Sequence, residues 1–124
     1  GGDVRDGGSA AQVAATTWAQ GIGQGVTFAT PRAAGSVVSA SASFRWRAGG
    51  TAAPLLQIIL EYADGAATEY VNQGVQGWVA SGAWFQASRS VTTTHPLRKV
   101  SLRLLSNSGA AQTFQIDAAS LTAS

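Results

Sequence analysis

The chain contains no cysteine and no methionine. Without a thiol there is no disulfide framework and no thiolate metal site. The hydrophobic core must therefore hold the fold, and 124 residues make one domain able to bury roughly two-thirds of its unfolded surface. Charge is scarce too: eight basic residues stand against six acidic ones, a formal +2. The basic residues are scattered from Arg5 to Arg103, and the densest groups are Arg45/Arg47 and Arg98/Lys99/Arg103. A nucleic-acid binder gathers Lys and Arg on one surface, so no nucleic-acid partner is expected. No apolar run approaches the ~20 residues that span a bilayer. The start of the chain lacks the charged-then-apolar order of a signal peptide. A soluble chain without membrane insertion is expected.

Catalytic groups are as sparse. The single histidine, His95, sits in a Thr-rich stretch before Pro96, with no second His or Cys to complete a zinc site. No G-x-S-x-G elbow marks a nucleophile. A glycosidase needs two facing carboxylates; Glu61, Asp64 and Glu69 cluster at one turn, as solvated strand ends do. Gly21-x-Gly23-x-Gly25 precedes no helix and reads as a flexible loop rather than a phosphate cradle. The expectation is a protein that binds or assembles and is not an enzyme.

What the sequence does have is a period of two. In 37–47, Val38, Ala40, Ala42, Phe44 and Trp46 alternate with Ser39, Ser41, Ser43, Arg45 and Arg47. Side chains alternate across a strand, so this segment has one buried and one wet face. In 55–62, Leu56, Ile58, Leu60 and Tyr62 form the inner set, and Leu55, Gln57, Ile59 and Glu61 the outer. Asp64-Gly65 is a turn signal, so 55–73 reads as a hairpin. Further strands are expected at 84–93, at 97–105 with Val100, Leu102 and Leu104 inward, and at 112–121 with Phe114 and Ile116 inward and Leu121 anchoring the end. Weaker ones are expected at 9–16 and 22–30. Pro31, Pro54 and Pro96 fall at segment borders. About eight strands at this spacing predict an all-β fold, an antiparallel two-sheet sandwich of the jelly-roll type. Residues 1–124 form a single domain, with 1–8 a loose arm.

Three stretches resemble the carbohydrate-binding modules of the family 4/9/22 type, which are β-jelly rolls. They are Ser41-Ala42-Ser43-Phe44-Arg45-Trp46-Arg47, then Gly82-Ala83-Trp84-Phe85-Gln86 with Val91-Thr92, and the closing Phe114-Gln115-Ile116-Asp117-Ala118-Ala119-Ser120-Leu121. Lys99–Leu105 sits where the family has a strand of alternating aliphatics. The usual first strand, with its Asn and Phe-Glu, has no counterpart. The resemblance implies a non-catalytic module that holds a polysaccharide or surface glycan in a groove across one sheet. It implies no organic cofactor, makes Trp84 a core residue, and makes Asp117 a ligand of a structural calcium ion. An extracellular location follows.

A sugar site pairs an aromatic face with polar side chains that bond the hydroxyls. The outer faces of 39–47 and 55–61 offer Arg45, Arg47, Gln57 and Glu61. Tyr70 and Trp78 lie on the adjoining hairpin and loop, and Trp18 would overhang them. Trp46 and Tyr62 are expected in the core. The resembling fold also serves in phage tail and virion proteins. The alternative is therefore a structural or adhesion domain of such an assembly, with neighbouring protein subunits packed on exposed Leu55, Ile59 and Leu105.

Overall fold

The structure is a computed structural model that describes residues 11–17 and 20–124. The proposed arm at 1–8 and Trp18 lie outside the described residues. Eight strands follow in order: β1 (Ala11–Ala15), β2 (Gly21–Arg32), β3 (Val37–Gly49), β4 (Leu55–Tyr62), β5 (Glu69–Gly74), β6 (Phe85–Thr92), β7 (Leu97–Leu105) and β8 (Gln112–Ala123). No helix occurs among the described residues. All neighbours pair antiparallel, in two four-stranded sheets of order β1-β8-β3-β6 and β2-β7-β4-β5. The expected all-β two-sheet sandwich is the observed architecture.

The alternation read from sequence sets the core. Val38, Ala40, Ala42 and Phe44 from one sheet face Leu56, Ile58, Leu60, Val100, Leu102 and Leu104 from the other, all buried. Phe44 and Phe114 meet with ring centroids 6.1 Å apart, in the tilted geometry that aromatic pairs prefer. Tyr62 is buried as expected.

Trp46 is not in this core. It is half-buried where the β3–β8 ladder slips between Trp46 and Ala48, and its indole N–H donates to the Gly49 and Gly50 carbonyls at 3.3 and 3.1 Å. A second slip lies between Ser41 and Ser43, opposite Ala118, which takes a left-handed φ of 54°. It explains how Ile116 and Leu121, five apart and thus of opposite parity, both turn inward. One extra residue in the strand flips the alternation.

The Gly21-x-Gly23-x-Gly25 run is not a loop. It opens β2, paired residue for residue with β7 from Gly21↔Leu105 to Thr27↔Lys99. Period two fails to show there because three of the alternating positions carry no side chain. At Gly21 the side chain is excluded physically: a Cβ would stand 1.8 Å from the Leu104 carbonyl oxygen.

Candidate functional site

The connection between β3 and β4 crosses from one sheet to the other, so their wet faces point in opposite directions. Arg45 and Arg47 lie on the first sheet, Gln57, Glu61 and Tyr70 on the second. The expected gathering of all these residues in one groove is not met. Alternation tells which side of a strand is wet, but not which sheet the strand joins.

Trp78 belongs to neither face. It is half-buried, rests against the core, stands 5.8 Å from the Phe85 ring and donates its indole N–H to the Thr51 carbonyl at 3.0 Å. It closes an end of the sandwich.

On the first sheet, Arg45 is buried. Its Nε donates to Gln115 Oε1 at 2.6 Å, and its guanidinium carbon sits 4.9 Å from the Trp84 ring centroid. Trp84 thus packs on the outer face rather than in the core, because the next residue, Phe85, pairs with inward-facing Phe44. Arg47 is exposed at the strand end. Farther along this face lies a trough of about 280 Å³ lined by Ser39, Ser41, Ser88, Ser90, Ser120 and Thr122 with Ala40 and Arg89. It offers hydroxyls, and Ser39 and Ser90 already bond each other at 2.8 Å. Among the described residues no aromatic side chain lines it.

Asp117, the expected calcium ligand, is buried beside Ser43. Its Oδ1 accepts the Ala118 N–H at 2.8 Å. That bond steadies the left-handed residue of the bulge. No group of three or more carboxylate, imidazole or thiol side chains placed to hold a cation occurs among the described residues, whereas calcium takes six to eight oxygen ligands.

The second sheet presents a different face. Its registers place outward side chains in rows across β2, β7, β4 and β5. One row is Gly23, Arg103, Gln57 and Asn72; the next is Gly25, Ser101, Ile59 and Tyr70; the third begins Thr27, Lys99, Glu61. Tyr70 is 63% exposed. Gln57 donates from its amide nitrogen to Asn72 Oδ1 at 3.0 Å, while its own carbonyl oxygen is shielded and has no partner. Glu61 receives Arg98 at 2.9 Å. The face combines an open ring, an amide pair, a hydroxyl and two cations.

The flank of β2 is also open. Ile22 and Val26 are 41% and 49% exposed although their cross-strand partners Leu104 and Val100 are buried. The residues expected to be exposed and apolar differ: Leu105 is buried, and Leu55 and Ile59 are half-buried.

At one end of the sandwich His95 Nδ1 lies 2.8 Å from Asp64 Oδ2. The imidazole bond holds the Asp64 carboxyl below the usual carboxylate range. The ring of His95 is 5.2 Å from that of Tyr62, whose hydroxyl donates to Glu69 Oε1 at 2.6 Å. Asp64 and His95 are 31 positions apart, so sequence spacing gave no sign of their contact.

No family model and no curated protein matches the sequence. Among solved structures, a protein described as "Family 16 Carbohydrate Binding Module-2" superposes with a TM-score of 0.58 at 14% identity, over 90% of this chain and 74% of that one. The chain has the fold of a carbohydrate-binding module. At this identity the likeness speaks to architecture, and it is to family 16 where the strand motifs resemble the 4/9/22 type.

Proposed function

We propose that the chain is a non-catalytic carbohydrate-binding module that holds a polysaccharide along the outer face of the β2-β7-β4-β5 sheet. The observation that carries this reading is Tyr70, largely exposed beside the Gln57–Asn72 pair. An exposed phenol ring is free to stack, and the apolar face of a sugar ring is a surface that it fits. The Gln57 and Asn72 amides lie one row away from the ring, polar groups of the kind that bond sugar hydroxyls. Ser101, between Ile59 and Gly25 on the same row, both donates and accepts. The hydroxyl trough of the other sheet has no aromatic side chain among its described lining residues on which a sugar ring would stack. Fold likeness to a carbohydrate-binding module supports the same reading. Such a module raises the local concentration of whatever it is joined to at a glycan surface, which places it outside the cell. Titration calorimetry against a set of soluble polysaccharides is the test. Binding that disappears in Tyr70→Ala, with the fold intact, is expected; a folded wild-type chain that binds none of them at millimolar sugar sinks the reading.

A second reading has its own observation. The open flank of β2, with Ile22 and Val26 exposed, suits a packing contact with neighbouring subunits of a larger assembly, such as a phage tail or virion surface. Sedimentation of the chain at high concentration checks self-association, and Val26→Lys should weaken it. A strict monomer argues against a homomeric contact.

A further inference from the structure

Lys99 and Arg103 give the proposed glycan face a charge, and the neighbouring strand lays them open. Four charged side chains belong to the outer side of β7 and β4: Arg98, Lys99, Arg103 and Glu61. The carboxylate is taken by Arg98 at 2.9 Å. The other ion pair among the described residues, His95 with Asp64, lies at the end of the sandwich. Lys99 and Arg103 take part in neither. Both lie beside the bare stripe of β2: a Cβ on Gly23 would stand 3.3 Å from Arg103 Cγ, and one on Gly25 would stand 3.3 Å from Lys99 Cε and 3.0 Å from Ser101 Oγ. Glycine at these two positions leaves a shelf beside the two stems; Arg103 is exposed and Lys99, opposite Glu61, is half-buried. Arg103 also shares its row with Gln57 and Asn72, and Ser101 shares the next with Tyr70. The cations thus flank the ring and the amide pair.

We infer that the polysaccharide taken by this face is anionic, bearing carboxylate or sulfate groups along its chain, with Lys99 and Arg103 pairing with two of those groups. The inference rests on the glycan-binding reading and goes beyond it in naming the ligand's charge. Four strand steps put the Cα atoms of Lys99 and Arg103 roughly 13 Å apart, more than one sugar ring spans, so the ligand is a chain rather than a single sugar. A fork of guanidinium donors suits the paired oxygens of carboxylate and sulfate alike.

The experiment uses matched pairs: polygalacturonate against its fully methyl-esterified form, and dextran sulfate against dextran, titrated into the full chain. The uncharged members probe the glycan site by itself. At least tenfold tighter binding to one charged member than to its uncharged partner is expected, and which pair shows it distinguishes carboxylate from sulfate. The preference should shrink severalfold between 0.05 and 0.5 M salt, because exposed charges are screened within a Debye length of about 10 Å at 0.1 M. Lys99→Gln with Arg103→Gln should remove the preference without moving the melting temperature. Arg89→Gln, which removes a cation from the opposite sheet, should keep it. Equal binding to both members of each pair overturns the inference and leaves the glycan-binding reading standing. A preference that Arg89→Gln diminishes as much as the double variant reduces the effect to net charge and overturns the inference as well. No binding to any of the four removes it together with the reading beneath it.

Discussion

Two aromatic side chains, eight positions apart, carry opposite consequences. Tyr70 is 63% exposed and touches solvent where a ligand would lie. Tyr70→Ala should therefore lower glycan affinity by on the order of 1–3 kcal/mol, the worth of one well-placed aromatic, while the denaturation midpoint stays where it was. Trp78 rests on the core, donates to Thr51 and faces Phe85. Trp78→Ala should cost on the order of 2–4 kcal/mol of stability through the space it leaves and leave affinity unchanged at temperatures where the variant is folded. Thermal melts and calorimetry on the two variants check both outcomes. A Tyr70 variant that melts early, or a Trp78 variant that loses affinity while folded, reverses the assignment. Sequence named both residues but could not rank them. Each follows or borders a glycine-containing stretch where alternation is too short to tell the inner side from the outer. Trp84 shows the same limit: it looked like core, yet one residue of offset from Phe85 turned it outward onto Arg45.

At the level of the strand, sequence was most informative where side chains alternate in kind. The inward sets of β3 up to Phe44, of β4 and of β7 were legible because apolar residues fall there at every second position. The bulge at Ala118 was not, since nothing local in Asp117-Ala118-Ala119 distinguishes an extra residue from an ordinary one. Sheet membership was not legible either, and it decides the site: β4 and β5 sit beside β7, while β3 sits beside β8. The glycines test this picture of the strands directly. Gly21 and Gly74 are both strand residues without a positive φ. A Cβ at Gly21 meets the Leu104 carbonyl oxygen at 1.8 Å, whereas at Gly74 nothing lies within 4 Å. Gly21→Ala should cost about 1–3 kcal/mol, because backbone must move to admit the methyl. Gly74→Ala should be neutral or stabilise by up to about 1 kcal/mol, by restricting the unfolded chain. Urea unfolding of the two single variants separates the outcomes. If both behave alike, the close approach of β2 to β7 at Gly21 is wrong, and with it the strand that bares Lys99 and Arg103.

The whole molecule's response to alkali should trace to one buried phenol. Tyr62 is 6% exposed and donates to Glu69 at 2.6 Å. Burial, and after it the Glu69 carboxylate, raises its pKa above the ordinary 10.0, outweighing Thr94, which pulls the other way. The folded chain therefore holds this proton more tightly than the unfolded one. By linkage, the associated stability is fully present below the unfolded value near pH 10 and is lost as pH rises through the folded value. Tyr62→Phe keeps the ring and its packing and removes only the hydroxyl. At pH 8 the variant should be less stable by about 1–2 kcal/mol, the net worth of a hydrogen bond to a carboxylate. As pH climbs past 10, wild type should fall faster than the variant, so the gap closes. Every other titratable group is common to both chains, so the difference between them isolates the Tyr62 hydroxyl. Denaturant midpoints of the pair, taken from pH 8 to 11, give the measurement. Converging curves assign the alkaline loss to Tyr62. Parallel curves place it elsewhere and show that the Tyr62–Glu69 contact does not couple the β4–β5 hairpin to the stability of the sandwich.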